Sequence, residues 1–170
     1  MRSPLANYNL PIQPIYFDYD TINGAIVVSQ LKIILMRVVV DTNIIFEGLT
    51  KRGGSAGLLI DCWLADLMEV YISDALAYEY IDVLSRKLSK FRWTELQPVL
   101  GTLLSKTRFT PIYYSWRPTS PDAGDDLVID CGMNAGAIVV TSNTKDFRRA
   151  QKLLGLQVMT STELVIKLSE

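Results

Sequence analysis

Arg37-Val38-Val39-Val40-Asp41-Thr42-Asn43 is the stretch on which the fold class turns. Three consecutive β-branched apolar residues read as a short strand buried on both faces. An acid, a hydroxyl and an amide follow where that strand should end. In an open parallel sheet, ligands bind in the crevice outside the carboxyl ends of the strands. A carboxylate leaving a buried strand there needs hydrogen bonds, a counter-charge or a metal. The competing reading is that Asp41 simply caps the helix that follows. A second run, Ala137 to Val140, repeats the pattern and leads into Thr141-Ser142-Asn143. If both strands are central and parallel, the two polar clusters share one edge of the sheet.

Working outward, the chain alternates strand-like and helix-like segments from Met36 onward. Gly53-Gly54 marks a loop, with Ser55 as N-cap of a helix over 56–68. Val70-Tyr71-Ile72 reads as a strand, and Ser73 caps a helix over 74–88. Thr94 and Gln97 form a capping-box pattern for a helix towards Lys106, with Pro98 early in it. Residues 109–114 read as extended, 116–124 as a loop, and Asp125 or Asp126 as the start of the next helix, ending near Gly136. Thr144 is expected to cap a helix containing Phe147, Leu153 and Leu154. Val158-Met159 is a last strand, and Thr160 with Glu163 a capping box for a terminal helix. This alternation implies β-α-β units with a parallel sheet, hence an α/β sandwich. Residues 1–35 differ from the rest: Pro4, Pro11 and Pro14 stiffen the start. The Ile15-Tyr16-Phe17 and Ala25 to Val28 runs flank Asn23-Gly24, a strong hairpin signal. The expected organisation is an N-terminal extension, 1–35, and one domain, 36–170.

Bulk properties narrow the chemistry. A chain of 170 residues can bury a real core in one domain. Its formal net charge is -1, so a polyanion must be held by a local patch or a metal rather than by a global field. The chain has no histidine, which excludes a Ser-His-Asp triad, a Cys-His pair and nearly every zinc site. Acid-base and metal chemistry therefore rest on carboxylates. Cys62 and Cys131 sit in apolar helical patterns without metal-ligand spacing, which points to a reduced, cytoplasmic compartment. No signal peptide is expected. The apolar stretch from Ala25 to Val40 is broken by Ser29, Gln30, Lys32 and Arg37, too polar for a membrane span.

The loop Ser120-Pro121-Asp122-Ala123-Gly124-Asp125-Asp126 is unusually acidic. Carboxylates at a helix N-terminus are favoured by the dipole, so capping alone explains one of them. Three acids within five residues suggest another demand. Glu79 is a further candidate: it flanks the apolar face of its helix and can turn towards the sheet edge, although a solvated helical glutamate is the plainer reading. Converging carboxylates repel unless a cation neutralises them, and hard oxygen ligands select Mg2+ or Mn2+. Such an ion polarises a phosphoryl oxygen and lowers the pKa of bound water, which suits phosphodiester hydrolysis without histidine.

From Met36 on, the chain resembles the PIN-domain family, the nuclease fold of the toxins in bacterial toxin-antitoxin pairs. The resemblance rests on V-V-V-D-T-N at Val38 to Asn43, on the helix holding Ala77-Tyr78-Glu79-Tyr80, on D-D-L-V-I-D at Asp125 to Asp130, and on I-V-V-T-S-N-T-K-D-F at Ile138 to Phe147. It implies a three-layer α/β/α sandwich and a divalent-metal-dependent ribonuclease. By match, Asp41, Glu79 and Asp126 take the principal acidic positions. Where many members carry a further acid this chain has Asn143, and Asp146 is expected to supply that carboxylate. Asn43, Thr141, Ser142 and Asp125 are supporting candidates. The resemblance also implies an RNA substrate, a cognate antitoxin and a homodimer.

Arg86, Lys87, Lys90 and Arg92, interleaved with Phe91 and Trp93, are candidate RNA contacts, since cations beside stacking rings suit single strands. A solvated helix end explains the same residues. Arg148, Arg149 and Lys152 form a second, weaker patch. Two rival readings remain. One is a PIN-like module that binds RNA or a partner with weak or no catalysis, which Asn143 supports. The other is a phosphotransfer domain with Asp41 as nucleophile, which Asn43 weakens because a second acid would be expected there.

Overall fold

The structure, a computed structural model, describes residues 19–22, 25–28, 35–51 and 53–170. Contacts divide the chain into two compact units, Met1–Ile34 and Leu35–Glu170. In the first, β1 (Tyr19–Ile22) pairs antiparallel with β2 (Ala25–Val28), with Ile22 opposite Ala25. That is the pairing of a hairpin. The prolines at the start, the Ile15–Phe17 run and Asn23-Gly24 lie outside the described residues.

The second unit runs β3 (Arg37–Val40), α1 (Thr42–Thr50), α2 (Ser55–Leu64), β4 (Glu69–Ile72), α3 (Asp74–Lys87), α4 (Lys90–Ser105) and β5 (Arg108–Phe109). It continues with α5 (Ala123–Ala135), β6 (Ile138–Val140), α6 (Arg148–Leu154), β7 (Val158–Met159) and α7 (Ser161–Leu168). The five strands form one sheet in the order β5-β4-β3-β6-β7, every pairing parallel. Val38, Val39 and Val40 are each fully buried. Successive strand residues point to opposite faces, so both faces of β3 are covered, as in the expected three-layer sandwich.

The topology explains where a site can form. From β3 the chain steps outward through β4 to β5, then α5 carries it back across to β6 on the other side of β3. The order therefore reverses between β3 and β6, the switch point where α/β sheets open a crevice. Register aligns Val40 with Val140, and the Asp41 N–H donates to the Val140 carbonyl at 2.9 Å. The two polar clusters thus leave the sheet side by side. Helix α5 lies across β3, β4 and β6. Gly132 lets it sit close: a Cβ there would stand 2.7 Å from Val139 Cγ2. Gly136, at φ +57, closes the helix in the left-handed region that glycine tolerates.

Several boundaries depart from the sequence reading. Gly54, not Ser55, is the N-cap of α2, and the Ser55 hydroxyl instead meets Ser161 Oγ at 2.7 Å. Helix α2 also stops at Leu64 rather than near 68. Ser89, not Thr94, caps α4, accepting the Arg92 N–H at 3.3 Å. The helix therefore begins at Lys90, and Thr94 lies inside it, its hydroxyl donating to the Lys90 carbonyl at 2.9 Å. Pro98 then falls mid-helix. Only Arg108–Phe109 of the region around 109–114 pairs as strand. Asp122, not Asp125 or Asp126, caps α5, accepting the Gly124 N–H at 2.8 Å. Thr144 does not cap α6, which begins after Phe147. The Ser73 cap and the Thr160–Glu163 capping box are both formed.

Candidate active site

Asp41 leaves β3 at the switch point, only 5% exposed. It holds the N-cap position of α1, yet its side chain makes no cap hydrogen bond. Its Oδ2 instead accepts the Thr141 hydroxyl at 2.6 Å. Capping alone therefore does not account for Asp41, whose carboxylate reaches across to the neighbouring strand end. Burial pushes the Asp41 carboxyl up from its ordinary value, while the Thr141 hydroxyl and the N–H groups of Asn43 and Thr42 pull it back.

Thr141 is fully buried and joins the two strand ends. Its oxygen accepts the Asn143 N–H at 3.0 Å and lies 3.5 Å from Asn43 Nδ2. The Asn43 Oδ1 is buried with no hydrogen-bond partner. Beneath the pair, the buried Tyr80 hydroxyl donates to the Val40 carbonyl and ties α3 to the end of β3.

A cleft of about 180 Å³ opens over these groups. Asp41, Asn43, Glu79, Asp122, Asp125 and Asn143 line it, together with Lys87. Glu79 reaches in from α3: a Cβ built on Gly124 would stand 3.5 Å from its Oε1. Asp125 comes from the first turn of α5 and accepts the Ser120 hydroxyl at 2.9 Å. Burial raises the Asp125 carboxyl to about 6, against the Ser120 hydroxyl, and the charges of Asp41, Asp122 and Asp146 add to the rise. Lys87 is the cation of the cleft, its Nζ 5.5 Å from the Phe46 ring centre. Among the described residues, no three acidic or cysteine side chains stand close enough to close around an ion.

Two expected site residues lie outside the cleft lining. Asp126 does not line the cleft. Its Oδ1 accepts the N–H groups of Thr119 and Ser120, both at 2.9 Å. It heads a polar stripe at i, i+4 and i+8 along α5 that clasps the preceding loop. Asp130 accepts the Trp116 N–H at 2.9 Å, the Ser115 hydroxyl at 2.7 Å and Arg117 Nε at 2.7 Å. Asn134 accepts the N–H groups of Tyr113 and Tyr114. One position is a rotation of about 100° on a helix, and that rotation gives the cleft Asp125 and the loop Asp126. Asp146 also lies outside the cleft lining, but its carboxylate accepts the amide of Asn143, which lines the cleft, and its charge is felt at Asp125.

Sequence reasoning does not single out Asp122 as a site residue. Its signal is the Asp-x-Gly turn at a helix start, which reads first as a cap. Ser142 is exposed and outside the cleft lining. Of the four basic candidates only Lys87 lines the cleft. Arg86 pairs with Asp82 at 2.8 Å and Arg92 with Glu95 at 2.9 Å, both exposed, and such pairs hold their partners weakly.

A family model described as the PIN domain matches residues 37–145. The chain belongs to the PIN-domain family. Solved structures share the PIN fold at low identity. VapBC2 from Rickettsia felis, bound to a promoter DNA fragment, aligns with a TM-score of 0.56 and 18% identity, covering 74% of this chain and 98% of that one. VapBC-1 from nontypeable Haemophilus influenzae aligns at 0.53 and 17%, covering 75% and 99%. FitAB bound to a DNA fragment aligns at 0.52 and 20%, covering 73% and 94%. No individually curated protein matches in sequence.

Proposed function

We propose that this PIN domain is a divalent-metal-dependent endoribonuclease, the toxin of a toxin-antitoxin pair. The observation that carries the reading is the sharing of one cleft by Asp41, Glu79, Asp122 and Asp125 at the sheet's switch point. The donor set fits a hard cation: carboxylate and amide oxygens, an unpartnered Asn43 Oδ1, and two carboxyls raised by burial. Asp41, Glu79 and Asp125 do not close around an ion as they stand; they would hold Mg2+ or Mn2+ by drawing in around it, with Asn43, Asp122 and Asn143 in support. When bound, the ion supplies Lewis-acid activation of the phosphoryl group and of the attacking water.

The chain's own groups prepare that step. Thr141 fixes one oxygen of Asp41, and Ser120 fixes one oxygen of Asp125. The Lys87 ammonium meets the negative charge of the incoming phosphodiester. The solved neighbours are VapBC proteins, which supports a cognate antitoxin as partner; a homodimer is part of the same proposal. A cytoplasmic location agrees with the two free, buried cysteines, and residues 1–35 form an extension outside the catalytic unit.

A second reading, binding without cleavage, is favoured by the amide at Asn143 and by the spread of the carboxylates among the described residues. One assay separates them: single-stranded RNA incubated with Mg2+ or Mn2+, with and without chelator. The parent cleaves only with metal, and Asp41→Asn loses at least about two orders of magnitude in rate while keeping its fold. Cleavage that persists in chelator refutes the metal mechanism. RNA binding without cleavage under either metal establishes the second reading.

A further inference from the structure

An acidic cleft in a chain of net charge -1 repels the polyanion it is meant to cut. Lys87 alone does not offset four carboxylates, so the attraction must come from nearby. Beside the cleft lies a groove of about 360 Å³. The 119–121 loop forms one wall, and Lys145, Arg148 and Arg149 line it together with Asp146. All three cations are exposed, and among the described residues none is paired with a carboxylate.

Two side-chain hydrogen bonds cross the wall between cleft and groove. Ser120, on the groove side, donates to Asp125 on the cleft side. Asn143, on the cleft side, donates to Asp146 on the groove side. The groove is thus one side chain away from the carboxylates, and Asp146, its single acid, is engaged by an amide. Arg148 and Arg149 lie beyond the residues matched by the family model.

We propose that this groove binds a backbone phosphate of the RNA strand next to the one held in the cleft, through Arg148, Arg149 and Lys145. The inference rests on the nuclease reading for its substrate but concerns binding alone. Guanidinium groups favour phosphate oxygens because their planar N–H forks match them.

The test measures anisotropy of a short fluorescein-labelled oligouridylate with the full chain in chelator, across a salt series. Arg148→Ala with Arg149→Ala weakens binding roughly tenfold, and lowers the slope of log affinity against log salt by about 0.7, the value of one phosphate contact on a single strand. Arg86→Ala with Arg92→Ala changes the slope less. Unchanged affinity and slope in the groove variant, or equal losses in both variants, overturns the groove while leaving cleavage by the parent untouched. A parent that binds the oligonucleotide but never cleaves it when metal is restored defeats the nuclease reading alone. A parent that does not bind it overturns the groove, and cleavage once metal is restored then decides the nuclease reading separately.

Discussion

Removing Asp126 should damage the fold before it damages the chemistry. Its carboxylate is 4% exposed and satisfies the backbone N–H groups of Thr119 and Ser120, residues themselves buried. Asp126→Ala leaves two buried donors unpaired, at about 1–3 kcal/mol each. Allowing the loop to relax towards water, a total of about 3 kcal/mol is expected. For a chain of this size each kcal/mol lowers Tm by roughly 2–4 °C, giving a fall of roughly 6–12 °C. Asp126→Asn keeps an acceptor oxygen but loses the charge, which makes such bonds about twice as strong, so roughly half the fall remains. Asp125→Asn should behave in the opposite way. It removes a charge facing Asp41, Asp122 and Asp146, so Tm in chelator holds or rises while cleavage is lost. Thermal unfolding by circular dichroism, paired with the RNA assay, reads both quantities. An unchanged Tm for Asp126→Ala, or a well-folded Asp126→Asn that has lost cleavage while Asp125→Asn retains it, would refute this division of roles.

The raised Asp125 carboxyl also predicts a pH dependence of the metal-free protein. The folded chain keeps that proton until about pH 6, whereas the ordinary value is 3.8, so the stabilising contribution is complete below 3.8 and is lost as pH rises through about 6. Burial of Asp41 acts in the same direction; Tm in chelator should fall across this window, flatten in Asp125→Asn, and stay level in the parent with Mn2+. Asn143→Asp places a further carboxylate at the cleft and should tighten a second ion, read by calorimetric titration of Mn2+; two equally tight ions in the parent would contradict this.

Much of this arrangement was legible because buried parallel strands carry an unambiguous signature. Val38–Val40 and Ile138–Val140 are apolar throughout, and each ends in a polar cluster, so Asp41 and Thr141 could be placed side by side once the sheet was parallel. The choice between Asp125 and Asp126 was not legible in the same way. Both are acids in a first turn, and local sequence does not say which direction around the helix faces the crevice; the packing of α5 on β6 through Gly132 decides it. The start of α4 illustrates a second limit. Ser89 and Thr94 both resemble caps, and only the docking of Leu100 and Leu103 in the core shows how far the helix extends.

The loop held by Asp126, Asp130 and Asn134 has a consequence for how this surface can change. At Tyr113 and Tyr114 the clasp takes hold of main-chain atoms, and the two residues are left 86% and 62% exposed, the Tyr114 ring edge-on to Trp116 at 4.7 Å. The path of the chain there is written in the side chains of another element. Substitution at Tyr113 can therefore change the character of this surface without moving the loop or the carboxylates beyond it, so the outer face and the cleft are free to vary independently.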